Sequence, residues 1–223
     1  MRINRYIAAS TSLSRRAADQ AIAAARVRVN GNIPSTGQSV ADGDEVTLDG
    51  QVVQPPVESQ TIMLNKPVGY VVSRDGQGSP TIYELLPAVY QHLNPVGRLD
   101  KNSSGLLLLT SDGKLAQELT HPSYKKEKVY EIALHKPLEP LHRQMISDHG
   151  IKLDDGVSQL QLERLTEGDD KQWRVRMHEG RNRQIRRTFN SLGYEVLTLH
   201  RTQFGEYSLK GIAPQEIKLL KHS

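Results

Sequence analysis

Hydrophobic residues recur along the chain with two different periods, and together these predict a mixed α and β protein. In RINRYIAAS the apolar residues Ile3, Tyr6 and Ile7 share one helical face. A second apolar stripe runs through SRRAADQAIAAA, for which Ser12 or Ser14 can supply the N-cap. The chain therefore begins with a predicted pair of short helices.

A period of two residues replaces the helical period after this pair. Val27 and Val29 alternate with polar residues and lead into an Asn30-Gly31 turn, which is typical of a tight hairpin. A further strand is predicted over residues 45–48. The first unit thus combines two helices with a β-hairpin and ends near Val53.

The segment QPPVESQ, residues 54–60, is predicted to be a linker. Its two prolines fit neither a helix interior nor a central strand. We therefore predict two domains, which cover residues 1–56 and 60–223.

Strand and helix patterns alternate through the second domain. Predicted strands cover residues 61–64, 70–73, 106–110, 129–134, 159–165, 172–178 and 195–200, with a short strand near 207. Predicted helices cover residues 81–86, 114–119, 140–149 and 182–192, the last followed by Gly193 as its C′ residue, with a final helix close to Pro214. The short turns between them favour an α+β fold, in which helices flank a large mixed and mostly antiparallel sheet.

Composition fits a soluble globular protein of one or two domains. Of 223 residues, 37% are hydrophobic and 24% are charged. No apolar stretch approaches the roughly 18 residues needed to span a membrane, and the N-terminal segment lacks the apolar core of a signal peptide. We expect a cytoplasmic protein, with a monomer as the default. The sequence contains no cysteine, which excludes disulfides, thiolate catalysis and cysteine-ligated metal sites.

Positive charge is clustered along the chain although the net charge is only +4. Between residues 171 and 187 only Glu179 opposes a run of cations, and three lysines surround Glu127. Such clusters suit a polyanion such as nucleic acid, although a solvated charged face explains them equally well.

Arginines decorate the predicted helix pair, and Arg15 and Arg16 fall in the first turn of the second helix, where cations oppose the helix dipole. Ordinary surface arginines are the alternative explanation. This segment, including VRVNG at residues 27–31 and GDEV at 43–46, resembles an S4 domain, a small RNA-binding module. The resemblance implies binding of structured RNA through Arg15, Arg16 and Arg28.

An isolated carboxylate, Asp100, precedes the most hydrophobic predicted strand in the segment GRLDKNSSGLLLL. An aspartate in such a position is commonly a turn former, because its side chain accepts hydrogen bonds from nearby backbone groups. Three other segments also lie at the ends of predicted elements. NKPVGY at 65–70 is a turn at a strand end, KVY at 128–130 begins a strand, and EGRNRQIRR at 179–187 opens a helix.

These four segments together resemble the pseudouridine synthases, and specifically the RsuA/RluB branch, which joins an S4 domain to a catalytic domain and modifies ribosomal RNA. The resemblance implies that Asp100 is the catalytic carboxylate, that Tyr130 stacks on the target base, and that Arg186 is the basic partner of Asp100. Arg98 would help to fill the space left by the flipped nucleotide. Ser103 stands where the family usually has threonine.

The remaining cations near these segments complete the implied RNA-binding set, namely Lys128, Arg181 and Arg183. Without the resemblance, core packing explains Tyr130 equally well. No cofactor is implied, since the isomerisation changes no oxidation state and adds no group. No metal site is predicted, because the histidines lack plausible carboxylate partners in sequence.

The implied function is isomerisation of a specific uridine in a ribosomal RNA stem-loop, and the 179–187 segment is closer to the large-subunit enzymes. A small-subunit enzyme is one alternative. A non-catalytic S4-containing RNA-binding or ribosome-assembly factor is another, although the presence of Asp100, Tyr130 and Arg186 argues against it. A tRNA-directed enzyme is disfavoured by the S4-like unit.

Overall fold

The chain divides into two compact units, Met1–Ser59 and Gln60–Ser223. The computed structural model describes residues 1–11, 13–55 and 59–220. Ser12, one of the two predicted N-caps, and residues 56–58 of the predicted linker lie outside this range. Among the described residues, no helix is both long and apolar enough to cross a membrane.

The first unit consists of two helices and a small sheet. Helices α1 (Ile3–Ser10) and α2 (Arg15–Ala23) precede strands β1 (Val27–Val29), β2 (Val46–Leu48) and β3 (Gln51–Val52), which pair antiparallel in that order. The Ser14 hydroxyl caps α2 by accepting a hydrogen bond from the Ala17 N–H at 3.1 Å. The predicted apolar stripes form its core. This core includes Ile3, Tyr6, Ile7, Ala18, Ala21, Val27, Val29 and Val46.

A large sheet with peripheral helices makes up the second unit. Its strands are β4 (Thr61–Lys66), β5 (Asn94–Pro95), β6 (Ser104–Thr110), β7 (Lys128–Leu134), β8 (Ile151–Leu153), β9 (Gly156–Ser158), β10 (Gln161–Arg164), β11 (Gln172–Met177), β12 (Val196–Phe204), β13 (Tyr207–Ser208) and β14 (Ile217–Leu220). Its α-helices are α3 (Gly113–Thr120), α4 (Pro140–Gln144) and α5 (Gln184–Asn190). A π-helical turn, Met145–His149, continues α4, and 3-10 turns cover Ile82–Leu85, Ala88–Tyr90 and Pro122–Tyr124.

The strand order of the sheet is β10-β11-β7-β12-β6-β4-β14, with β13 beside β12 and β5 beside β6. Among the described strands, β12 and β6 form the one parallel pair, through His200 with Ser104 and Arg201 with Gly105. The other pairs of this sheet are antiparallel. The predicted α+β fold with a mostly antiparallel mixed sheet is confirmed.

Strand β6 is buried on both faces, and this explains its uninterrupted run of leucines. Leu107 and Leu109 pack into the larger hydrophobic core, whereas Leu106 and Leu108 pack into a separate cluster. Each fully buried leucine stabilises the fold by roughly 1.5–3 kcal/mol. The loop that carries Asp100 is therefore attached to a strand that is buried on both faces.

Two of the predicted elements are wrong. Residues 70–73 form no strand, because the chain turns at Gly69 (φ +94°) and Val71 makes only an isolated bridge to Thr81. The chain near Pro214 forms a turn followed by β14, since pairing with the edge of β4 satisfies more backbone groups than a short helix would. The β8–β9 hairpin was not predicted.

Other boundaries shift by a few residues. The predicted 182–192 helix is shorter, because Arg183 has a left-handed backbone (φ +46°) and α5 begins at Gln184. The predicted strand 195–200 extends to Phe204 as β12, and helix 81–86 is a 3-10 turn.

Gly105 is required where β6 meets β12. Its φ is +104°, and an added Cβ would lie 2.3 Å from the carbonyl oxygen of Arg201. Gly105→Ala is expected to lower the free energy of unfolding by more than about 2 kcal/mol, through strain and overpacking. Urea unfolding followed by circular dichroism measures the change.

Gly113→Ala is the matched control, because a Cβ at Gly113 meets nothing within 4 Å. It should leave stability unchanged or raise it by up to about 1 kcal/mol. Equal unfolding midpoints for the two variants would contradict the close approach at Gly105.

Candidate active site

Asp100 lies in the loop that connects buried Leu99 to β6. The Ser103 N–H donates to the Asp100 carbonyl oxygen at 3.0 Å and closes a turn. The ammonium of Lys66, at the end of β4, donates to the carbonyl oxygens of Pro67 (3.0 Å), Asp100 (3.2 Å) and Ser103 (2.8 Å). Because Lys66 has no exposed surface, these bonds hold the loop backbone without competition from water.

Burial lowers the pKa of Lys66 from 10.5 to about 8, and the negative charge of Asp100 opposes this shift. The three carbonyl acceptors also favour the charged ammonium, which offers three donors. The position of the Asp100 loop is therefore coupled to the protonation state of Lys66.

The cation in ion-pair contact with the Asp100 carboxylate is Arg183. Its Nη1 lies 3.6 Å from Asp100 Oδ2, and the two side chains are 47% and 35% exposed. Arg183 is the residue before α5, and its left-handed backbone is uncommon for a residue other than glycine. The turn at Arg183 thus shortens the predicted helix and lies where this guanidinium meets the carboxylate.

The predicted contact between Arg186 and Asp100 is replaced by the Arg183 contact. Arg186 instead donates to the carbonyl oxygens of Val196 and Asn102, the latter at 2.8 Å. Burial lowers the pKa of Arg186, as does the charge of Arg183, while Asp100 and Glu195 raise it. Arg186 lies on α5, three residues after Arg183, and its side chain contacts the backbone after Asp100 and not the carboxylate itself.

Tyr130 lies on β7 and is only 8% exposed. Its cross-strand neighbours are Arg201 on β12 and Val175 on β11. It belongs to the main core and also contributes to the wall of a cavity, so core packing and a binding role are compatible.

One cavity of about 520 Å³ brings the central residues together. The residues that line it include Arg98, Asp100, Ser103, Lys128, Tyr130, Arg183 and Leu199. Its size is typical of a small-molecule or nucleotide site. Apolar, acidic and basic groups therefore face one shared space.

The predicted RNA-binding residues have different surroundings. Arg98 is exposed, and Lys128 is half-buried. Arg181 lines the same cavity but donates to Asp155, Glu179 and the Val157 carbonyl oxygen, so its guanidinium mainly fixes the loop. In the first unit Arg15, Arg16 and Arg28 are exposed.

Two buried cations at this site were absent from the predicted site residues. Lys66 reaches the Asp100 loop from β4, and Arg201, which is 2% exposed, lies beside Tyr130. The signal in the sequence that could have pointed to Lys66 is its place just after the apolar predicted strand 61–64. The described residues contain no cluster of three or more metal-binding side chains.

Comparisons of the sequence and of the structure with known proteins point to the same family. A family model described as RNA pseudouridylate synthase matches residues 60–191. A Xanthomonas campestris pv. campestris protein named ribosomal large subunit pseudouridine synthase B is 41% identical over 219 residues, which cover 93% of this chain and 44% of that protein. The chain thus spans less than half the length of the first curated relatives that it matches.

Other matches extend over nearly their whole length. A Bacillus subtilis protein named ribosomal large subunit pseudouridine synthase B is 33% identical, and the match covers 99% of this chain and 95% of that protein. The Pasteurella multocida ribosomal small subunit pseudouridine synthase A is 35% identical, with coverage of 94% and 90%. A crystal structure of a pseudouridylate synthase superposes with a TM-score of 0.69 at 32% identity, and covers 99% of this chain and 96% of that one.

The pKa of Lys66 predicts a pH dependence of stability. Folded Lys66 releases its proton near pH 8, whereas an unfolded lysine keeps it until about 10.5. Between these values the unfolded chain binds more protons, so the free energy of unfolding rises with pH. Relative to Lys66→Met, the wild type should gain up to about 3 kcal/mol over this window.

Urea unfolding at a series of pH values measures this difference. Lys101→Met, which removes an exposed lysine of the same loop, should follow the wild-type profile. Parallel profiles for the wild type and Lys66→Met would contradict the low pKa.

Proposed function

The chain belongs to the RNA pseudouridylate synthase family, and we propose that it isomerises a uridine of ribosomal RNA to pseudouridine, with large-subunit RNA as the favoured substrate. The proposal rests above all on one observation: Asp100, Arg183 and Tyr130 line the same cavity. The relatives named as large-subunit enzymes, including one that is matched over 95% of its length, support the choice of substrate.

The reaction needs one carboxylate and space for the base to turn. The bond from ribose C1′ to uracil N1 breaks, the uracil rotates, and a bond forms from C1′ to C5. The C5 proton is lost and N1 gains one, so that substrate and product are isomers. Asp100 acts either by attacking a reactive carbon or by removing a ribose proton, and both routes use its ionised form.

Arg183 is the counter-charge in this proposal. At 3.6 Å and partly exposed to solvent, the two side chains form a loose ion pair that leaves the carboxylate accessible to the substrate. Arg186 then has a positioning role, through its bond to the carbonyl oxygen of Asn102.

A uridine stacked in RNA cannot reach a carboxylate inside a cavity, so the target nucleotide must be extruded. Tyr130 offers the extruded base an aromatic face, and exposed Arg98 replaces contacts that the RNA loses. A structured stem-loop is the expected substrate, because a loop nucleotide is cheaper to unstack than a paired one.

The first unit is proposed to be an S4-type RNA-binding domain. Its helix pair, hairpin and exposed arginines on α2 support this assignment. A small-subunit substrate is the second candidate, since the matched small-subunit relative is 35% identical to this chain.

Asp100→Asn should reduce turnover by at least about a thousandfold and leave RNA affinity within about twofold, because the amide is nearly isosteric but is neither base nor nucleophile. Carbodiimide mapping of rRNA treated with each protein measures pseudouridine. Exposed Asp148→Asn is the matched control and should keep full activity. Full turnover by Asp100→Asn would refute its catalytic role.

Replacing Arg15 and Arg16 together by glutamine should weaken RNA binding without unfolding the domain. Removing cations from the first turn of α2 relieves a conflict with the helix dipole, so stability should rise slightly. If both contact phosphates, the slope of log affinity against log salt should fall by about 1.5 to 2.

Filter binding at several salt concentrations gives this slope. Arg26→Gln is the comparison, because Arg26 already pairs with Asp49, its Nε donating at 2.7 Å. An unchanged slope for the double variant would argue against phosphate contacts on α2.

A further inference from the structure

Beside the Asp100 loop, the cavity carries a second group of cations, Lys126, Lys128 and Arg201. Arg201 has no role in the proposed reaction. It is the largest charged side chain in the buried interior, and only 2% of its surface is exposed.

The Arg201 guanidinium is incompletely satisfied. Its Nε donates to the Leu106 carbonyl oxygen at 2.8 Å, but its buried Nη2 has no hydrogen-bond partner among the described residues. Its other neighbours are aromatic, with the guanidinium carbon 4.9 Å from the Phe204 ring centre and 6.0 Å from that of Tyr130. A buried charge without an acidic partner destabilises the free protein and favours an anionic ligand.

Lys128 places a second positive charge in the same part of the cavity. Its ammonium lies 5.1 Å from the Phe204 ring centre, and within the described chain it makes no hydrogen bond and no ion pair shorter than 4 Å. Burial lowers the pKa of Lys128, the charge of Arg201 lowers it further, and Glu179 raises it. Two like charges are thus held close together in the free protein.

We propose that Lys128 and Arg201 form an anion subsite that binds a phosphodiester group of the RNA next to the target uridine. This inference rests on the proposed function. Arg201 is the cross-strand neighbour of Tyr130, and Lys128 precedes Tyr130 by two residues on β7, on the same side of the strand. A base stacked on Tyr130 therefore has its own phosphates close to both cations.

The subsite explains why Lys128 and Arg201 lie close together without an ion pair to an acidic side chain among the described residues. A phosphate oxygen can accept from both Lys128 and Arg201 and screens their mutual repulsion. Half-buried Lys128 lies nearer to solvent than Arg201, which suits a ligand that remains connected to the rest of the RNA. Arg201 supplies positive charge from the buried side of the cavity. Its side chain is held by the bond to the Leu106 carbonyl oxygen, and its backbone lies close to Gly105.

A cycle that removes each partner in turn tests this contact. The uridine modified by the wild type is first mapped in rRNA transcripts. Oligonucleotides with that uridine are then made with an uncharged methylphosphonate replacing either its 5′ or its 3′ phosphate. Values of kcat/KM are measured for the wild type, for Lys128→Met, and for the control Lys125→Met, which removes an exposed lysine outside the cavity.

We expect Lys128→Met to lose about tenfold on the unmodified RNA, and one of the two methylphosphonates to cost the wild type a similar factor. That methylphosphonate should cost Lys128→Met less than about twofold, because the partner charge is already gone. Lys125→Met should keep the wild-type sensitivity. Circular dichroism checks that each variant is folded.

Independent losses, in which the methylphosphonate still costs Lys128→Met about tenfold, would overturn the phosphate subsite while leaving the proposed function intact. A loss in Lys128→Met with neither methylphosphonate affecting the wild type would also overturn it. A wild-type protein that modifies no uridine would instead refute the proposed function, and the subsite with it.

Discussion

A buried ammonium bonded to three backbone carbonyl oxygens is the interaction on which the site depends. Lys66 joins the end of β4 to both ends of the turn between Asp100 and Ser103. The Lys66 ammonium bonds main-chain oxygens and not the Asp100 carboxylate, which faces the cavity and Arg183. Lys66 on β4 thus fixes the backbone of the Asp100 loop, while the Asp100 side chain stays partly exposed in the cavity.

Much of the fold follows from local pattern, and the site does so only in part. The leucine run of β6 and the alternation in β11 predict buried strands because the side-chain period is two. The identity of the cation beside Asp100 could not be predicted, since it depends on the left-handed backbone of Arg183. Helical periodicity places Arg186 at the border of the apolar face of α5. It does not show that the turn before the helix directs Arg183 to Asp100.

Charge counted along the sequence differs from charge that remains available in the fold. The segment 171–187 contains one glutamate, yet cross-strand pairing brings acids from elsewhere to its arginines. Arg174 pairs with Glu131 and Glu163, and Arg176 pairs with Glu127. Asp155, in the turn between β8 and β9, holds Arg181 and Arg187. Arg183 is the member of this run whose ion-pair partner is Asp100, so its charge lies at the cavity.

The pairing of β4 with β14 has a consequence for how the second unit is made. Strand β4 lies between β6 and β14, so during synthesis one edge of β4 stays uncovered until β14, the last of the described strands, is made. Such long-range closure raises contact order and slows folding. During synthesis, Lys66 and the leucines of β6 can already assemble while one edge of β4 remains open to a chaperone or to a neighbouring chain.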